Sequence, residues 1–140
     1  YDFLFESGGP GCTYLLEKEI FQEFTKFVAL NIALVSNFKS HDWLAYAFVR
    51  SRGSVWVIDD HPGLLYRQHD DNEFGANLTW SSYRKRLFLI TSGWYRSQIH
   101  IMCESLRLPL VTRSFIFFNW MRSRRRFRDR IIMFLFVLLF

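Results

Sequence analysis

The chain opens on an apolar run broken by one acid, Tyr1-Asp2-Phe3-Leu4-Phe5, and a short run of that kind predicts a buried strand. Ser7-Gly8-Gly9-Pro10-Gly11 follows as a sharp loop, because glycine accepts positive φ and proline fixes its own. Thr13 then stands as the N-cap of a helix whose apolar positions recur at Leu16, Ile20, Phe21, Phe24, Phe27 and Val28, a core-facing stripe. After the polar loop Ser36-Asn37-Phe38-Lys39-Ser40, the pattern predicts a second helix from about His41 to Arg52, stopped by Gly53. Ser54-Val55-Trp56-Val57-Ile58-Asp59 alternates as a strand does. Asp60-His61-Pro62-Gly63 reads as a turn, and Leu64-Leu65-Tyr66-Arg67 as an antiparallel partner strand.

From about Trp80 the period becomes helical. Trp80, Tyr83, Leu87, Ile90, Trp94 and Ile101 mark one face, weakened in the middle by Gly93 and closed by Pro109. A third helical segment covers Ser114 to Met121. The end is in two parts: a run of arginines from Arg122 to Arg130, then ten unbroken apolar residues from Ile131 to Phe140.

Composition sharpens this picture. Half of the 140 residues are apolar and 16 are Phe, which excludes a disordered or low-complexity chain. The net charge of +5 invites a nucleic-acid reading, but the charge is unevenly spread. Residues 1–105 carry 10 Lys and Arg against 12 Asp and Glu; residues 106–140 carry eight Arg and one Asp. Basicity thus belongs to the end alone, where no aromatic ladder interleaves it upstream, and a nucleic-acid partner is not expected. Two cysteines are too few for a disulfide scaffold. The chain starts in what reads as mid-strand with no initiator Met and no signal pattern, and is expected to be a fragment of a larger product.

Three features lie outside packing logic. Gly8-Gly9-Pro10-Gly11, between a strand and a helix, lets backbone approach a ligand closely, although its spacing is neither a P-loop nor a dinucleotide fingerprint. His41-Asp42-Trp43 places a carboxylate at a helix start, where it either caps the helix or accepts a proton from a bound hydroxyl. Tyr66-Arg67-Gln68-His69-Asp70-Asp71-Asn72 is dense in hydrogen-bonding groups, with an imidazole able to ligate a metal and a guanidinium able to grip an anion.

The order of these features resembles the C-terminal half of family 2 glycosyltransferases of the GT-A fold, most of all the bacterial rhamnosyltransferase-like members. The resemblance is carried by Gly9-Pro10-Gly11-Cys12-Thr13, His41-Asp42-Trp43, Ile58-Asp59, and Tyr66-Arg67-Gln68-His69 with Asn72 and Gly75, over about residues 1–77. It implies an α/β fold: the acceptor-side half of a GT-A domain over residues 1–78, a helical extension over 79–121 and a basic, apolar C-terminal helix over 122–140. It implies an inverting transfer of one sugar, rhamnose among the candidates, from a nucleotide-diphosphate donor to a saccharide or lipid-linked saccharide hydroxyl in cell-surface polysaccharide synthesis.

By the same resemblance Asp42 is the general base, and Gly9, Gly11, His41, Trp43, Arg67 and Gln68 line the donor and acceptor cleft, with Trp43 as a wall for the sugar. His69 reaches the metal or the sugar-donor diphosphate. His41 stands where many relatives carry an acid. A divalent ion, Mg²⁺ or Mn²⁺, is expected mainly through an upstream half bearing Asp-x-Asp; neither that motif nor Gln-x-x-Arg-Trp occurs here. These 140 residues alone are then expected to be inactive. Residues 122–140 suggest a membrane surface, because arginines meet anionic lipid while ten apolar residues are too few to span a bilayer, which needs about 20. The corresponding location is cytoplasmic, at the inner face of the plasma membrane. The competing class is a non-catalytic membrane-binding module or an inactive remnant.

Overall fold

The computed structural model describes residues 1–59, 61, 63 and 80–136. Among these residues, seven α-helices follow one another: α1 Lys18–Leu30, α2 Ile32–Val35, α3 His41–Ser51, α4 Trp80–Thr91, α5 Trp94–Ser105, α6 Arg113–Asn119 and α7 Phe127–Phe136. Short 3-10 turns lie at Asp2–Leu4, Gly11–Thr13 and Trp120–Arg122.

The described residues contain no β-strand, and this overturns the expected α/β, GT-A-type architecture. Two local causes are visible. In the first segment the amides of Leu4 and Phe5 donate to the carbonyls of Tyr1 and Asp2, so the apolar run curls into a turn while still burying Phe3, Leu4 and Phe5. A run of that length satisfies either conformation, and periodicity cannot choose between them. In the second, residues 54–59 have no described strand beside them to pair with, and a strand is stabilised by its neighbour's ladder. Val55 and Val57 are 83% and 82% exposed, while the Trp56 ring between them turns inward. The proposed partner, Leu64–Arg67, lies outside the described residues.

Helix α3 is the centre of the fold. Every residue from Trp43 to Val49 is buried, and Ala47 and Phe48 have no exposed surface. Phe24 and Phe27 of α1 meet Phe48 with ring centroids 5.2 and 4.9 Å away. From the other end of the chain, Ile99, Met102 and Cys103 of α5, Ile116 of α6 and Met133 of α7 join the same core.

Several boundaries differ from expectation. Helix α1 starts at Lys18 rather than after Thr13, whose hydroxyl instead donates to the Pro10 carbonyl and closes the preceding turn. Phe21 points to solvent, so the stripe on α1 is narrower than its apolar residues suggest. Gly93, with φ +77°, separates α4 from α5, which the sequence reads as one weakened helix. Trp80 and Leu87, two markers of the expected face there, are exposed.

Candidate active site

The site grows from the start of α3. The loop before this helix is tied to α5 by Gln98, whose side-chain oxygen accepts from the Lys39 amide at 2.7 Å and whose nitrogen donates to the Asn37 carbonyl. Ser40 then precedes the helix, and its hydroxyl donates to Oδ1 of Asp42 at 2.6 Å. The Trp43 amide donates to the same oxygen at 2.9 Å. The carboxylate is thereby held at the first turn, where the helix dipole favours negative charge. Its other oxygen, Oδ2, accepts no hydrogen bond from a described residue. His41 is exposed beside it.

The glycine loop lies directly against this helix start. A Cβ added at Gly11 would sit 3.0 Å from the Asp42 Cβ and 3.3 Å from Nε2 of His41, so any larger residue would push the loop away from both. A Cβ at Gly8 would lie 2.9 Å from the rings of Trp56 and Tyr46. Gly9 has φ +134°, a conformation that glycine adopts without strain. Tyr14 braces the loop from within: its hydroxyl donates to the Gly9 carbonyl at 2.9 Å and meets the Ser7 hydroxyl at 2.8 Å. Burial pushes the Tyr14 phenol above its ordinary range, and the Asp42 charge works in the same direction.

A second layer of charge fixes the segment ahead of the loop. Asp42, Tyr46 and Arg50 follow one another at helical i, i+4, i+8 spacing and share a face of α3. The Tyr46 hydroxyl donates to Oδ2 of Asp2, and the Arg50 guanidinium lies 3.5 Å from Oδ1 of the same residue. Burial of the Asp2 carboxyl favours its neutral form, but the Tyr46 hydrogen bond and Arg50 outweigh it and leave the group below the usual carboxylate range. Burial first, and Asp2 second, push the Tyr46 phenol upward.

The basic end closes over this layer. Arg125 donates its amide to Glu6 Oε1 at 2.6 Å, its guanidinium lies 3.1 Å from that oxygen, and its terminal nitrogen donates to the Ser7 carbonyl at 2.6 Å. Arg124 adds a second pairing to Glu6 at 3.7 Å. Beyond the loop, a groove of about 1090 Å³ runs between residues 12–17 and 54–59, with Gly8, Tyr14 and Trp56 at its wall.

Of the residues expected to form the site, Gly11, His41 and Asp42 come together here, and Gly9 lies two residues before Gly11 in the same loop. Trp43 is placed differently: the ring is only 5% exposed, its Nε1 donates to the Phe3 carbonyl at 2.8 Å, and it packs on Phe38 and Tyr95 as part of the core. Arg67, Gln68 and His69, with Asn72 and Gly75, lie outside the described residues. Asp2, Glu6, Tyr14, Tyr46 and Arg125 escape a motif-based reading. The i, i+4, i+8 spacing of Asp42, Tyr46 and Arg50 is the one sequence signal for part of that set; nothing local in the sequence marks the pairing of Glu6 with Arg125. Among the described residues, no group of three or more His, Cys, Asp or Glu side chains is placed to hold a metal, and no helix is long and apolar enough to cross a membrane.

No protein-family model matches the chain, and no solved structure does. Among curated proteins, it is 42% identical over 106 residues to the dTDP-rhamnosyl transferase RfbG of Shigella flexneri. The aligned stretch takes in 76% of the chain and spans 37% of the length of that relative. At that identity over most of its length, the chain is a homologue of part of a rhamnosyltransferase-like glycosyltransferase.

Proposed function

We propose that the chain is the acceptor-side part of a glycosyltransferase that moves a sugar from a nucleotide-diphosphate donor to a saccharide hydroxyl. The observation that carries this reading is the 42% identity to the rhamnosyl transferase, whose name favours a dTDP-linked rhamnose donor. Residues 1–78 supply the acceptor side, 79–121 a helical extension and 122–140 a basic, apolar end. The product belongs to cell-surface polysaccharide, assembled at the cytoplasmic side of the membrane. Activity needs more of the protein than these 140 residues.

The chemistry is a single inverting displacement. The acceptor oxygen bonds to the anomeric carbon as the bond from that carbon to the diphosphate oxygen breaks, and the acceptor proton passes to Oδ2 of Asp42. A carboxylate is a weak base toward an alcohol in the ground state, and becomes competent as the hydroxyl acidifies late in bond formation. Ser40 and the Trp43 amide hold Oδ1, which leaves Oδ2 as the oxygen for the proton. Gly11 lets the loop lie against the carboxylate.

A divalent ion opposite the departing diphosphate is part of the reading, and when bound it would neutralise developing charge. The described residues do not fit it: His41 and Asp42 offer two donors at most, so no step is routed through a metal held by them. Its ligands are taken to lie outside the described residues, His69 among them.

Asp42→Asn in the complete transferase is the direct test. The amide oxygen can keep both hydrogen bonds made by Oδ1, so the fold and KM should hold while kcat falls by roughly 10²–10⁴, the usual contribution of a general base. Turnover near that of the wild type would remove Asp42 from the role.

A further inference from the structure

Helix α7 turns three of its apolar residues outward. Phe127, Ile131 and Phe134 of α7 stand at i, i+4 and i+7, within an arc of about 60° on the helix. A surface helix normally turns such a stripe to the core. Here all three are exposed, and Met133, on another side of the helix, enters the core instead. The stripe continues onto the neighbouring element: Phe117 lies 5.7 Å from Phe134 and 5.4 Å from Phe118, and Trp120 lies 5.3 Å from Phe134. Phe118 is 80% exposed. A contiguous aromatic surface of this kind marks an interaction site rather than scattered surface apolarity.

The arginines around it divide into two sets. Arg124 and Arg125 pair with Glu6, and Arg130 donates to the carbonyls of Arg124 and Arg125, so these three are spent inside the fold. Arg113, Arg122, Arg126 and Arg128 are exposed and form no salt bridge with a described residue. The single acid of residues 106–140 is Asp129.

We infer that the face formed by α6, the turn at Trp120–Arg122 and α7 docks on an anionic lipid surface. Aromatic rings lodge at the headgroup boundary, while guanidinium groups at the ends of long side chains reach the lipid phosphates. A second copy of the chain fits less well: a twofold contact would lay this cationic rim against itself. The surface is narrower than the basic run read from the sequence, because part of that run holds the glycine loop. It stands apart from the transferase reading, because lipid binding requires no turnover.

Vesicle co-sedimentation of the 140-residue chain tests it, comparing neutral phosphatidylcholine with a 3:1 mixture of phosphatidylcholine and phosphatidylglycerol. The chain should bind the anionic vesicles at least tenfold more tightly. Arg126→Gln with Arg128→Gln should weaken that binding by about 25-fold, at roughly fivefold for each arginine near the surface. Phe118→Ser, at an exposed position, should weaken it at least fivefold with an unchanged circular dichroism spectrum. Equal binding to both vesicles, or no binding, overturns the assignment. So does a concentration-dependent dimer that Phe118→Ser disperses, which would make a second copy the occupant.

Discussion

Helices α3 and α7 are built from much the same material and do opposite things with it. Both are rich in aromatic and aliphatic residues and carry arginines. In α3 the apolar residues are enclosed, and the polar stripe of Asp42, Tyr46 and Arg50 finds its partners within the fold. In α7 an apolar stripe faces outward, and Arg128 beside it has no described ion-pair partner. The contrast follows from what surrounds each helix. α3 is flanked by the N-terminal turns and α1, whereas α7 rests on α6 and the turn before it. Apolar content says that a surface wants covering; only the neighbours decide whether the chain itself covers it.

The comparison can be broken by substitution. Phe48→Ala, in the enclosed helix, should cost about 3–5 kcal/mol in urea unfolding, the range for truncating a fully buried aromatic. Gly8→Ala places a methyl against the rings of Trp56 and Tyr46 and should cost about 1–3 kcal/mol as overpacking, with a lower melting temperature. Tyr46→Phe removes the hydroxyl that Asp2 accepts from and should cost roughly 1–2 kcal/mol. This loss should depend on pH. Asp2 has a folded value below its unfolded one, so its contribution is full above the ordinary carboxylate range and is lost as pH falls through the lowered value. Acid unfolding curves of wild type and Tyr46→Phe should therefore converge at the acid end. Phe118→Ser, on the outward face, should stay within about 0.5 kcal/mol. A cost there near that of Phe48→Ala would mean that α6 and α7 bury what they are described as exposing.

Much of α3 could be read ahead of the structure. Its start at His41 matches, its end differs by one residue, and Gly53 follows as expected. Gly11, His41 and Asp42 meet because loop and helix start are packed together, a closeness that the residue types suggest and the contacts at Gly11 make explicit. The expected strands at residues 1–5 and 54–59 do not form. Three apolar residues after Tyr1-Asp2 satisfy a turn as readily as a strand, and alternation from Ser54 to Asp59 specifies a pleat only where a neighbour supplies the ladder. Trp43 was misread for a related reason: an aromatic next to a functional carboxylate looks like part of a binding wall, yet its position on α3 turns the ring to Phe3, Phe38 and Tyr95. The hold of Glu6 by Arg124 and Arg125 was invisible, because no local pattern connects residues so far apart.

That hold carries a consequence for how the molecule comes into being. Glu6 and Arg125 are separated by 119 positions, and a ribosome releases the first long before the second. While the intervening residues are made, the glycine loop can form, with Tyr14 beneath it and α3 against it, as Glu6 waits for its cations. The anchor of the loop thus closes after the loop itself can form. A chain halted just before Arg124 would carry Gly9, Gly11, His41 and Asp42, yet lack the cations that hold Glu6.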